Sequence, residues 1–99
     1  MEIAVVIPTR DRPQMLKHAV DSVFNSTFRN IEVVVVDDSL LTDKDLEEYL
    51  ESKGVKYIRS GGNRGGGYYR NLGIDATRGE YIAFLDDDPA NVLAIGTLE

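Results

Sequence analysis

Ninety-nine residues are enough for one domain with a single core, and few for an enzyme that must bind two substrates. A net charge of -6 argues against nucleic acid or an anionic membrane surface as the main partner, and the lack of cysteine excludes a disulfide framework and a thiolate metal site. One histidine, His18, cannot make a multi-histidine zinc centre, and no apolar run approaches the roughly 20 residues that span a bilayer. The apolar start at residues 3–7 is too short for a signal peptide and lacks a basic flank, so a cytoplasmic soluble domain is the default expectation.

Apolar runs alternate with helical patterns along the chain. Ile3-Ala4-Val5-Val6-Ile7 has the pattern of a buried strand, stopped by Pro8. Asp11 is the expected N-cap of a helix with Pro13 in its first turn. In that helix Leu16, Ala19, Val20, Val23 and Phe24 recur at helical spacing on one face. Residues 31–36, almost unbroken in β-branched side chains, give a second buried strand. Thr42 or Asp43 can cap a second helix, which turns Leu46, Tyr49 and Leu50 inward and ends at Gly54. Residues 55–59 form a short third strand, followed by a glycine-rich loop over 61–67 and a third helix over 68–77, stopped by Gly79. Tyr81-Ile82-Ala83-Phe84-Leu85 is the fourth strand. Periodicity fades after Pro89. The expected organisation is therefore a domain over 1–88 with a tail over 89–99 that reads as cut short, Leu98-Glu99 being a candidate cloning scar.

The order β-α-β-α-β-α-β, with near-continuous apolar strands, predicts a Rossmann-like three-layer α/β/α fold with a parallel sheet buried on both faces. Right-handed crossovers give a strand order of 3-2-1-4 and a switch point between strands 1 and 4 at their C-terminal ends, where open α/β sheets bind ligands. That edge collects the unusual polar residues. Strand 1 delivers Thr9 and Arg10, strand 2 Asp37 and Asp38, and strand 4 Asp86, Asp87 and Asp88. The loop after strand 3 and the next helix bring Asn63, Arg64 and Arg70.

Three consecutive carboxylates at a strand end repel one another by roughly 3 kcal/mol per neighbouring pair at about 5 Å and an effective dielectric near 20. A hard divalent cation such as Mg²⁺ or Mn²⁺ offsets that repulsion and takes oxygen ligands, often shared with a substrate phosphate. The alternative is a solvated acidic turn. Carboxylates beside arginines suit a ligand that carries both hydrogen-bond donors and a diphosphate, since arginine grips phosphate through paired charge-assisted bonds. A metal beside a departing diphosphate acts as a Lewis acid.

Four stretches stand out: Val5-Val6-Ile7-Pro8-Thr9-Arg10, Val33-Val34-Val35-Val36-Asp37-Asp38-Ser39, Asn63-Arg64-Gly65 with Tyr69-Arg70-Asn71-Leu72-Gly73, and Gly79-Glu80-Tyr81-Ile82-Ala83-Phe84-Leu85-Asp86-Asp87-Asp88. In order and with compatible spacing they resemble the motifs of the family 2 glycosyltransferases of GT-A fold. Together they cover residues 3–88. The resemblance implies the donor-binding half of an enzyme that moves a sugar from a nucleoside diphosphate, usually UDP, to an acceptor with inversion. It implies that Thr9 and Asp38 contact the base, Asp38 accepting from a ring N–H, while Asp37 either assists or caps the turn. Arg70 would reach the base or its phosphates, and Asp86 the ribose. Asp88, with Asp86, would ligate Mn²⁺ or Mg²⁺, and Asp87 takes the variable middle place. The family's Asp-Asp-Gly-Ser is Asp37-Asp38-Ser39-Leu40 here, so the turn lacks a glycine, and Tyr69 replaces a small residue before the arginine. The family's catalytic base and acceptor site lie downstream of the aspartate strand, so no general base is assigned.

Other readings of the same residues are weaker. The glycines lack the following Lys-Ser or Lys-Thr of a P-loop, and strand 1 lacks the G-x-G-x-x-G turn of a dinucleotide fold. A receiver-type signalling domain would put its acidic pair after strand 1 and a lysine after a late strand. A nucleotidyltransferase would put a basic glycine-rich loop after strand 1. A module that binds nucleotide without transferring a sugar stays open. His18 is expected to be a partly exposed helix residue, Tyr68 and Tyr69 packing residues that could alternatively stack on a base, and Glu47, Glu48 and Glu51 a solvated helix face.

Overall fold

The computed structural model describes residues 3–25, 31–60, 81–85 and 92–97. These form β1 (Ile3–Thr9), α1 (Pro13–Phe24), β2 (Ile31–Asp37), α2 (Lys44–Ser52), β3 (Lys56–Arg59), β4 (Tyr81–Leu85) and β5 (Val92–Thr97). The expected glycine-rich loop and third helix, with Arg64 and Arg70, lie outside the described residues, as do Asp86, Asp87 and Asp88.

The sheet runs β3-β2-β1-β4-β5. Its first four strands are parallel in the expected order, and β5 adds an antiparallel edge to β4, from Tyr81 opposite Thr97 to Leu85 opposite Val92. The sequence reading places no element there. The run Val92-Leu93-Ala94-Ile95-Gly96-Thr97 has neither strict alternation nor helical period, and an interior glycine weakens a strand pattern.

Alternation along the central strands sorts the core into two sides. Val5, Ile7, Val33 and Val35 pack with Leu16, Ala19 and Val20 of α1 and with Leu46 and Leu50 of α2. Ala4, Val6, Val34 and Val36, on the opposite face, expose none of their surface. Both faces of β1 and β2 are thus buried, as continuous apolar strands require. Each fully buried Val or Leu contributes roughly 1.5–3 kcal/mol of transfer free energy relative to exposure.

The helix ends decide where the sheet edge opens. Of the two candidates Thr42 and Asp43, it is Asp43 that caps α2, its carboxylate accepting from the Leu46 N–H at 3.1 Å. Asp11 does not cap α1. The helix starts one residue later, with Arg12 at the cap position and no side-chain cap bond, because Pro13 already fixes the first helical φ. Asp11 instead takes a left-handed backbone, with φ 54°. Gly54 ends α2 with φ 73°, a conformation only glycine adopts without penalty.

Candidate functional site

Two successive rows of residues cross the C-terminal ends of β1, β2 and β3. In the first, Thr9 is in register with Asp37, and Asp37 with Arg59. The second, one residue further on, is Arg10, Asp38 and Ser60. Consecutive residues of an extended chain face opposite sides of a sheet, so Asp37 and Asp38 have different surroundings although they are neighbours.

The first row closes on itself. One Asp37 oxygen accepts from the Ser39 N–H at 2.9 Å, and the other accepts from the Tyr57 hydroxyl and lies 3.6 Å from the Arg59 guanidinium. Arg59 also donates to the Ser39 carbonyl at 2.6 Å, to the Leu41 carbonyl at 3.4 Å and to the Tyr57 hydroxyl at 3.3 Å. Burial, then the bond to Asp37, pushes the Tyr57 phenol up to about 12, while Arg59 pulls the other way. The Tyr57 hydroxyl in turn holds Arg59 still more firmly protonated. Asp37 has only 2% of its surface exposed and is engaged by the protein itself. Of the two roles left open for it, fixing the turn is the one this geometry carries.

The second row is centred on Asp38, which is fully buried. Its carboxylate accepts from the Ser60 hydroxyl on one oxygen, and the other lies 3.9 Å from the half-exposed Arg10 guanidinium. Backbone bonds stitch the three strand ends together, Asp38 N–H to the Thr9 carbonyl and Ser60 N–H to the Asp37 carbonyl, both at 2.9 Å. The missing glycine of the Asp37-Asp38-Ser39-Leu40 turn causes no strain, since Asp11 is the only non-glycine residue with positive φ among the described residues. Ser39 adds what glycine could not: its hydroxyl accepts from the Asp11 N–H at 2.7 Å and so links the β2 turn to the β1 turn.

A cleft of about 460 Å³ opens on the first-row side, between the starts of α1 and α2, bordered by Thr9, Arg12, Asp37, Ser39 and Lys44 among others. Arg10 and Asp38 do not border it. In the sheet β1 lies between β2 and β4, so the β1 end of both rows is the end nearer β4. Val6 is in register with Phe84, and the chain passes from Leu85 directly into Asp86. Among the described residues no group of three or more histidine, cysteine or acidic side chains is placed to hold a metal ion.

The structure therefore brings Thr9, Arg10, Asp37 and Asp38 together at one edge, while Arg70, Asp86, Asp87 and Asp88 lie outside the described residues. Sequence reasoning missed Tyr57, Arg59, Ser60 and the linking hydroxyl of Ser39. A signal for two of them was available: Tyr57 and Arg59 alternate on β3 on the face where Asp37 needs partners.

An open, mostly parallel sheet with a switch point beside β1 and polar side chains at its C-terminal edge defines a Rossmann-like α/β domain of the GT-A kind. The model of the family described as Glycosyl transferase family 2 matches residues 4–90, and the chain belongs to that family. A β-1,3-glucosyltransferase of Campylobacter jejuni acting on GalNAc(5)-diNAcBac-PP-undecaprenol is 32% identical over 91 residues, 88% of this chain and 29% of that protein. The putative colanic acid biosynthesis glycosyl transferase WcaA of Escherichia coli is 34% identical over 89 residues, 87% of this chain and 32% of its own length. Among solved structures, S. aureus TarS 1-349 in complex with UDP-GlcNAc superposes with a TM-score of 0.74 at 30% identity, covering 89% of this chain and 27% of that one. The mannosyltransferase PcManGT of Pyrobaculum calidifontis, solved with GDP-Man and Mn²⁺, superposes with a TM-score of 0.77 at 21% identity, a likeness of fold, over 88% of this chain and 27% of that one. The chain spans 13% to 36% of the length of the curated relatives it matches.

Proposed function

We propose that this chain is the donor-binding portion of a glycosyltransferase that takes a sugar from a nucleoside diphosphate, UDP in the first instance, and passes it to an acceptor with inversion. The observation that carries this reading is the Arg10–Asp38–Ser60 row, a buried carboxylate beside an arginine at the C-terminal ends of β1 and β2. An ionised carboxylate is an acceptor-only group, so Asp38 is the side chain of this row that would accept from a ring N–H. The guanidinium of Arg10 supplies charge-assisted donors for phosphate or carbonyl oxygens. Thr9 borders the neighbouring cleft, and Asp37 keeps the turn in place. The complex of TarS, at 30% identity, with UDP-GlcNAc supports a uridine nucleotide as the first to try.

Arg70 and Asp86 complete the proposed nucleotide contacts, with Asp87 beside them. Asp86 and Asp88 would hold a divalent cation, Mn²⁺ or Mg²⁺, whose oxygen preference their carboxylates fit. When bound, that ion supplies charge to offset the diphosphate as it leaves. The chain's own residues bind and orient the nucleotide. No helix among the described residues is long and apolar enough to cross a membrane, and a cytoplasmic location is part of the proposal.

Calorimetric titration of UDP, with and without Mn²⁺, tests the reading. Metal-dependent binding lost in Asp88→Ala and weakened in Asp38→Asn is the expected result. Binding that ignores both the metal and Asp88→Ala would keep the nucleotide and remove the metal role. A folded sample that binds neither UDP nor GDP would overturn the donor reading.

A further inference from the structure

The donor reading gives no part to Arg59 and Tyr57, the two β3 residues that engage Asp37. Arg59 reaches three acceptors that belong to one turn: the Asp37 carboxylate and the carbonyls of Ser39 and Leu41. Its planar fork suits such a set, because several N–H donors are fixed in one geometry; a lysine ammonium is a point charge on a flexible stem. Tyr57 holds both the Asp37 carboxylate and Arg59. From that turn the Ser39 hydroxyl takes the Asp11 N–H at 2.7 Å. Asp11 sits at φ 54°, a region that disfavours residues with a Cβ, so the bond supports a conformation the chain would otherwise tend to leave. Arg10 precedes Asp11 and Asp38 precedes Ser39, so both donor-site side chains hang from the two turns that this path joins.

We propose that Arg59 is a positioning residue for the donor site: acting through Ser39, it fixes the turns that carry Arg10 and Asp38, and it does not touch the nucleotide. The proposal rests on the donor reading above for its ligand, while the path from Arg59 to Asp11 stands on the geometry alone. The Asp37–Arg59 row faces away from the Asp38 row, and the polar partners of Arg59 are Asp37, Ser39, Leu41 and Tyr57, so a change at Arg59 that loosens the Asp11 amide is expected to travel through the turn.

The test compares the wild-type chain with Arg59→Lys and Ser39→Ala, by amide hydrogen exchange and by UDP titration. Both variants are expected to speed exchange of the Asp11 amide while the Val6 and Val34 amides of the core keep their protection. Both should weaken UDP binding about tenfold, the size of losing one charge-assisted contact, with Lys failing to rescue because it lacks the fork. An Asp11 amide that exchanges at the wild-type rate in Arg59→Lys, or that rises only in step with the core amides, would overturn the relay. A loosened Asp11 amide with unchanged UDP affinity would overturn the positioning role. If the wild type binds neither UDP nor GDP, the donor reading falls and the positioning role with it, and the exchange data still decide whether the path exists.

Discussion

Asp37 and Asp38 are adjacent in sequence and identical in chemistry, yet their neighbours give them different work. Asp37 is occupied by Ser39, Tyr57 and Arg59, and Asp38 by Ser60 and Arg10. The pair was legible in the sequence as one acidic cluster at a strand end. The division between them was not, because it depends on which β3 residues come into register. Tyr57 gives that division a pH signature. Its phenol is neutral in the fold up to about 12, against about 10 in the unfolded chain, so its contribution to stability is complete below pH 10 and is lost between 10 and 12. Urea melts of wild type and Tyr57→Phe should therefore show a smaller alkaline loss in the variant. Some loss should persist, because burial and the bond to Asp21 also push the Tyr49 hydroxyl upward. Asp11 offers a second test at this scale. With φ 54°, Asp11→Asn should be nearly neutral, whereas a β-branched Asp11→Val should cost about 1–2 kcal/mol in the same melts. Equal melts for Asn and Val would show that the left-handed turn is not held in solution.

Among the elements, α2 was read from its ends and α1 only from its face. Asp43 caps α2 by accepting from the Leu46 N–H, and Gly54 closes it, two local signals that need nothing from the rest of the fold. At α1 the acidic residue before Pro13 looked like a cap but is diverted to a tertiary bond between turns, which no local pattern reveals. Asp43→Ala should cost about 1 kcal/mol, the usual loss for an N-cap side chain. Gly54→Ala should cost about as much for a different reason. A Cβ there would meet nothing within 4 Å, so only the positive φ opposes it. Helicity by circular dichroism separates the two cases: the cap variant should fray α2 before the global melt, and the glycine variant should lower the melt as a unit. Fraying in both would mean that Gly54 acts as a local cap alone.

At the scale of the whole molecule, the four-strand order follows from the alternation of apolar runs and helices, and the fifth strand changes what that order means. With β1 and β5 on either side, β4 is an interior strand of the sheet rather than its edge. The register of β5 shifts between Phe84 and Leu85, an irregularity at the end of β4. A chain ending at Asn91 would turn β4 into an edge with unpaired N–H and C=O groups, a template for pairing with another chain. Such a chain should melt at lower urea than the 99-residue protein and should gain a concentration-dependent dimer in sedimentation velocity. Lys or Glu substitutions cannot mimic this, because the loss is of backbone partners rather than of charge. A truncated chain with the same urea midpoint and a monomeric mass at all concentrations would show that β5 neither stabilises the sheet nor shields it. β4 would then be the edge of the sheet in solution.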